Sequence, residues 1–237
     1  MGMKRNIREI LEFREDISPF LVHLTKTATS KKAKDVLKKI LKERKLVAGN
    51  KPMSDAKYFL TGDKQNEFCR AISFTETPLN EIHCLIDIKA RQIELEPYGL
   101  VFMKEELQKK GVSPVIYLNN EQNDIDNVIK SLCRLIYKDA ASAKKILPLI
   151  STFGRMLLKR KRIDFTWERE WRYPSVLGDL KFDKTHVFVG ICPDDDIKEF
   201  EQQFPDFIFV DCRRNMKYYA SKLVKARRAH NLKRSVV

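Results

Sequence analysis

The stretch Phe165-Thr166-Trp167-Glu168-Arg169-Glu170-Trp171-Arg172-Tyr173-Pro174 decides how this chain is read. Side chains alternate between faces along a strand with a period of two. Taken as one strand, the stretch puts Glu168, Glu170 and Arg172 on one face and Trp167, Arg169, Trp171 and Tyr173 on the other. Both tryptophans of the chain fall on this second face. That side is expected to pack on the core, leaving the acidic side to open into a cleft or onto water. Two carboxylates beside an arginine form either a poised site or a solvated ion-pair ladder, since structural ion pairs perturb pKa values as functional ones do.

Polar residues inside other apolar strands are the next selective signals. Phe20 to Thr25 reads as a buried strand with His23 and Thr25 on one face, and Cys69 to Thr75 as a strand with Ser73 and Thr75 on one face. Together with the acidic strand they can converge on one polar cleft. Taken singly, His23 or Ser73 is more often a hydrogen-bonded structural residue than a site residue. Further strands are expected at Tyr98–Met103, Pro114–Leu118, Thr185–Ile191 and Asp206–Asp211.

Helical spacing of apolar residues marks residues 3–15, ending at Ser18-Pro19, and a lysine-rich helix capped by Ser30 and carrying Ala33, Val36, Leu37, Ile40 and Leu41 as its stripe. Gly49 is the expected stop of that helix, and residues 50–68 read as a polar, turn-rich loop. Pro78 opens a helical segment through Ile86, and a short helix from Lys104 stops at Gly111. A long helical insertion is expected over about 123–161, with Asp139 as a cap and Pro148 as a kink. A helix around Asp194–Gln203 and a basic C-terminal helix over about 215–234 complete the pattern. Strands and helices alternate irregularly, which argues for an α+β fold with a mixed or antiparallel sheet flanked by helices. The chain is expected to form a single domain over 1–237, since 237 residues with 43% hydrophobic content suffice for one substantial core.

The formal charge is +14. An excess this large makes polyanions the expected partners. The charge is clustered in Lys31 to Lys45, in Lys159-Arg160-Lys161-Arg162, and from Lys222 to Arg234. Each cluster alone is compatible with a solvated helix face, whereas three together point to nucleic acid, without distinguishing DNA from RNA. Apolar runs fall well short of the ~20 residues that span a bilayer, so no membrane partner is expected. The N-terminus shows no secretory pattern, and five scattered cysteines without a Cys-x-x-Cys pair read as reduced thiols of a cytoplasmic protein, with no metal site. Gly-x-Gly-x-x-Gly, Gly-x-x-x-x-Gly-Lys-Ser/Thr, His-Glu-x-x-His and Gly-x-Ser-x-Gly are all missing from the sequence.

The order His23, then Ser73 or Thr75, then Glu170 resembles the ADP-ribosyltransferase superfamily, in which an early strand carries His or Arg, a middle strand Ser or Tyr, and a later strand the catalytic Glu. A broader stretch, roughly Val22 to Tyr173, is similar to the bacterial abortive-infection AbiGi-type family. That similarity runs through Val22-His-Leu-Thr25, Ile72-Ser-Phe-Thr-Glu-Thr-Pro-Leu79, Tyr98-Gly-Leu-Val-Phe102, Gly111-Val-Ser-Pro-Val-Ile-Tyr117 and Glu168-Arg-Glu-Trp-Arg-Tyr173. The resemblance implies a split sheet and a phage-defence or toxin-antitoxin setting, with a cognate toxin or antitoxin as a partner. It implies NAD as substrate, Glu170 as the catalytic carboxylate with Glu168 as its assistant, and His23, Thr25, Ser73, Thr75 and Arg172 as cofactor-binding residues. Lys159 to Arg162 would guide a nucleic-acid acceptor. Two other readings stay open: a non-catalytic antitoxin or nucleic-acid-binding module, and, more distantly, a metal-dependent nuclease.

Overall fold

A computed structural model describes residues 17–27, 31–88, 95–121, 124–153, 157–158, 161–162 and 166–232. The strands in chain order are β1 (Phe20–Leu24), β2 (Lys45–Leu46), β3 (Ala71–Thr75), β4 (Gly99–Met103), β5 (Ser113–Pro114), β6 (Ile116–Asn119) and β7 (Ile150–Phe153). They continue with β8 (Leu157–Leu158), β9 (Lys161–Arg162), β10 (Glu170–Pro174), β11 (Leu180–Lys181), β12 (Val187–Ile191) and β13 (Phe209–Val210). The helices are α1 (Ala33–Glu43), α2 (Asp63–Cys69), α3 (Ile82–Ile86), α4 (Lys104–Lys109), α5 (Ile125–Cys133), α6 (Leu135–Lys138), α7 (Ala140–Ile146), α8 (Asp194–Gln203) and α9 (Ala220–Ala229). The fold is α+β, with mostly antiparallel mixed pairing flanked by helices. It divides into two compact units: residues 1–44, 76–107 and 182–237 in the first, and 45–75 and 108–181 in the second.

In the first unit β1 and β12 each pair antiparallel with β4, and β13 runs parallel to β12. Every residue of β12, and all of β4 except Met103, is buried. Continuous apolar runs of this kind mark strands covered on both faces. Gly190 of β12 is required by packing, because a Cβ there would lie 2.2 Å from the Phe209 ring. Helix α1 buries Ala33, Leu37 and Leu41 at helical spacing and leaves its lysines outward. It ends earlier than Gly49 suggests, at Arg44, which adopts the left-handed conformation (φ 53). That conformation is unfavourable for a residue with a Cβ. Tertiary contacts hold it: Arg44 pairs with Asp206 at 2.8 Å, its guanidinium lies 4.3 Å from the Phe207 ring centre, and its carbonyl accepts the Phe182 N–H.

In the second unit β10 pairs antiparallel with both β3 and β5. A core of Ala56, Leu60, Phe68, Ile125, Ile129 and Leu147 joins α2, α5 and the turns beside them. Residues 50–68 therefore are not a loop. Ser54 accepts the Ala56 N–H and starts a 3-10 turn over Asp55–Phe59, and α2 follows. The expected helical insertion over about 123–161 gives way to a strand after Leu149. Asp139 accepts the Ser142 N–H and caps α7 as expected, but Pro148 sits in a 3-10 turn over Leu147–Leu149, after which the chain enters β7, parallel to β6. The β-branched Ile150 and Thr152 favour that strand over further helix. Pro114–Leu118 likewise divides at Val115, with β5 pairing β10 and β6 pairing β7. The expected helix over residues 3–15 and the Ser30 cap lie outside the described residues; α1 has Lys32 at its N-cap.

The acidic stretch itself is shorter as a strand than alternation predicts. Thr166–Glu168 form a 3-10 turn, Arg169 has φ 45, and β10 begins only at Glu170. The left-handed residue resets the alternation, so Trp167 is 45% exposed while Trp171 and Tyr173 are buried. The charged side does not open to water either: Arg172 is 4% exposed, beneath the turn that contains Pro148.

Candidate functional site

The register of β3 against β10 sets Thr75 opposite Glu170 and Ser73 opposite Arg172. Residues on one face of neighbouring antiparallel strands meet both directly and on the diagonal. The Ser73 hydroxyl uses the diagonal and donates to Glu170 Oε1 at 2.5 Å. Arg172 donates from Nε to the same oxygen at 3.0 Å and from Nη2 to Oε2 at 2.8 Å. Its remaining nitrogen, Nη1, donates to the carbonyls of Pro148 at 2.9 Å and Ile150 at 3.2 Å. Paired in this way on both forks, the guanidinium holds the carboxylate in a single orientation.

Tyr117 and Thr75 complete the setting. The Glu170 N–H donates to the Tyr117 hydroxyl at 3.0 Å, and the Thr75 hydroxyl donates to the Glu168 carbonyl at 2.6 Å. Burial pushes the Tyr117 phenol up to about 12, against the smaller opposing effect of its bond to the Glu170 backbone. Tyr117 thus remains a neutral, oriented hydroxyl. The Glu170 side chain keeps 13% of its surface exposed. A carboxylate fixed by three donor groups from two side chains, and still partly accessible, is a preorganised negative charge able to stabilise positive charge or hold a hydroxyl.

The second unit therefore gathers Ser73, Thr75, Glu168, Glu170 and Arg172, although Glu168 enters through its backbone carbonyl from the 3-10 turn and not along the strand face. His23 and Thr25 belong to the first unit. His23 sits on β1 opposite Leu100, half-buried. Thr25 is buried just beyond β1, where its hydroxyl lies 3.0 Å from the Tyr98 carbonyl and 3.2 Å from that of Ala33. That geometry ties the start of α1 to the strand preceding it. From the sequence Tyr117 is expected only as a stacking surface or a core aromatic, not as a hydrogen-bond partner of Glu170. Its signal was a tyrosine inside an apolar run, since a buried phenol requires a hydrogen-bond partner.

No family model, curated protein or solved structure matches this chain.

The basic clusters behave differently from one another. Within the Lys31 to Lys45 run, Lys34 pairs with Asp196 and Glu199 at 2.7 Å each, and Lys38 pairs with Glu199. The hydrogen bonds from Lys34, then Lys38, hold the Glu199 carboxylate down to about 2. Arg44 pairs with Asp206, and Lys45 with Asp179. Much of this run is thus neutralised locally, chiefly by acids of α8. Of the Lys159 to Arg162 run, Lys159 and Arg160 lie outside the described residues, and Lys161 and Arg162 form β9, opposite β8. On α9, Lys222 pairs with Glu201, whereas Lys225 and Arg228 are exposed. Among the described residues no cluster of His, Cys, Asp or Glu could hold a metal ion, and no helix is long and apolar enough to cross a membrane. Cys69, Cys133, Cys192 and Cys212 are buried free thiols, and Cys84 is an exposed one.

Proposed function

We propose that the chain is a phage-defence or toxin-antitoxin-type protein with NAD-dependent ADP-ribosyltransferase-like activity, acting on nucleic acid or a nucleic-acid-associated target. The observation that carries this reading is the hydrogen bond from Ser73 to Glu170 across β3 and β10. It couples a middle-strand serine to a later-strand glutamate, two of the residues that the resemblance assigns to one site. In this reading NAD is the substrate. Glu170 stabilises the oxocarbenium character that develops as the bond between the ribose and nicotinamide breaks; nicotinamide leaves with the bonding electron pair, and the acceptor nucleophile closes on the ribose carbon as it loses its proton. Arg172 and Ser73 orient Glu170, and Tyr117 anchors the backbone from which it projects.

A second reading, a non-catalytic antitoxin or nucleic-acid-binding module, is favoured by one feature of the same cluster. Arg172 engages both carboxylate oxygens of Glu170 and is itself buried, as in a structural ion pair. Incubation of the purified protein with NAD separates the two. Release of nicotinamide, abolished by Glu170→Gln with the circular-dichroism spectrum unchanged, supports the transferase. Salt-dependent nucleic-acid binding without nicotinamide release supports the module, and release that survives Glu170→Gln overturns the assignment of the catalytic strand.

A further inference from the structure

Outside the Glu170 cluster, the second unit exposes two tyrosines, each beside a lysine. Tyr58 in the Asp55–Phe59 turn is 70% exposed, with the Lys57 ammonium 5.1 Å from its ring centre. Tyr137 on α6 is 78% exposed, with the Lys64 ammonium 4.5 Å from its ring centre and 2.9 Å from its hydroxyl. The two pairs are joined through α2. Gln65, next to Lys64, donates from its side-chain amide to the carbonyls of Lys57 and Leu60, and so locks α2 onto the Tyr58 turn. A third cation, Lys130 on α5, lies 5.8 Å from the ring centre of Phe59, the neighbour of Tyr58.

Two acids of the same elements are already occupied. Asp55 accepts the Thr152 N–H at 2.7 Å and the Thr152 hydroxyl at 2.8 Å, and Glu67 pairs with Lys144 at 2.6 Å. Exposed aromatic rings of this size are unfavourable in water. Rings this exposed leave a face open to a flat π-system, while the ammonium beside each meets an anionic group attached to that system. Nucleobases linked by phosphates satisfy both requirements, and only unpaired bases present a free face. Duplex DNA or RNA offers its phosphates but not its base faces.

From this arrangement we infer that Tyr58 and Tyr137, with Lys57 and Lys64, form a stacking surface for single-stranded nucleic acid. Bases stack on the two rings and phosphates meet the lysines. The inference names a partner surface for the nucleic-acid side of the proposed function and rests on that part of it, but it requires no NAD chemistry.

Fluorescence anisotropy of labelled oligothymidylate, oligouridylate and a duplex of equal length tests it. Wild type is expected to bind the single strands more tightly than the duplex. Tyr58→Ala and Tyr137→Ala are each expected to weaken single-strand binding roughly five- to hundredfold. Tyr137→Phe, which keeps the ring but loses the hydroxyl bonded to Lys64, should bind far more tightly than Tyr137→Ala, and Lys64→Ala should flatten the salt dependence by about 0.7 in log–log slope. Equal binding by wild type and both alanine variants, or preference for the duplex, overturns the surface. Nicotinamide release measured on the same samples keeps the two proposals apart. Release without single-strand binding sinks this inference alone, whereas binding lost in the tyrosine variants without any release sustains it and sinks the transferase reading.

Discussion

Arg172 holds both carboxylate oxygens of Glu170, the residue two places before it on β10, and reaches past it to the carbonyls of Pro148 and Ile150. One guanidinium therefore fixes the orientation of an acidic side chain and also fastens the strand to the turn that covers it. Removing one partner of a buried pair is costly because the other is left charged in a poorly solvated place.

This predicts an asymmetry between two substitutions. Arg172→Met strands the Glu170 carboxylate and removes donors from two carbonyls, and should cost ~3–5 kcal/mol of unfolding free energy. Glu170→Gln keeps a single acceptor oxygen, for Ser73 and Arg172 Nε, and loses the acceptor for Arg172 Nη2, but it leaves Arg172 bonded to the Pro148 and Ile150 carbonyls and should cost less. Urea unfolding of the two variants decides the point, and equal losses would show that the pair does not organise the strand.

The link between α1 and α8 should fail in acid. Glu199 is held down to about 2 by its hydrogen bonds from Lys34 and Lys38, against an ordinary value of 4.5. A carboxylate depressed on folding stabilises the fold above its unfolded value and loses that contribution as pH falls through its folded value. The midpoint of thermal unfolding should therefore drop between about pH 4.5 and about pH 2. In Glu199→Gln part of that drop should be missing, so the two melting curves converge toward pH 2; parallel curves across the window would count against the link.

Gly99→Ala should destabilise the β1–β4 pair. The added Cβ would lie 2.3 Å from the backbone carbonyl oxygen of His23, an atom that cannot swing aside as a side chain can. Overpacking of this kind costs ~1–3 kcal/mol. The loss should appear as a lower urea midpoint and faster amide exchange at Val22 and Val101, which face each other across the pair. An unchanged midpoint would mean that the two strands can separate at little cost.

Much of the local structure was legible from residue order alone. Apolar runs marked β1, β4 and β12, broken in β1 only by His23, and the four-residue spacing of Ala33, Leu37 and Leu41 marked α1. Polar residues inside apolar strands singled out Ser73, Glu170 and Arg172, because such positions are occupied by polar groups only when a partner is at hand. Breaks in periodicity were harder to see. The turn at Thr166–Glu168 and the left-handed Arg169 interrupt a pattern that alternates well on paper, and α2 is short and polar enough to resemble a loop.

What the sequence determined by itself was the α+β class, the basic excess, and the choice of a serine-bearing and a glutamate-bearing strand as candidates, since each depends on composition or on short-range periodicity; that these two strands pair was decided by the tertiary structure. Only the tertiary structure decided that Trp167 faces water, that Arg172 is buried and bound to Glu170, and that Lys34 and Lys38 are matched by acids some 160 positions away. These outcomes depend on which distant groups share a desolvated space. The energy of a charge is set by that space and its partners, which neighbouring residues in the chain do not specify.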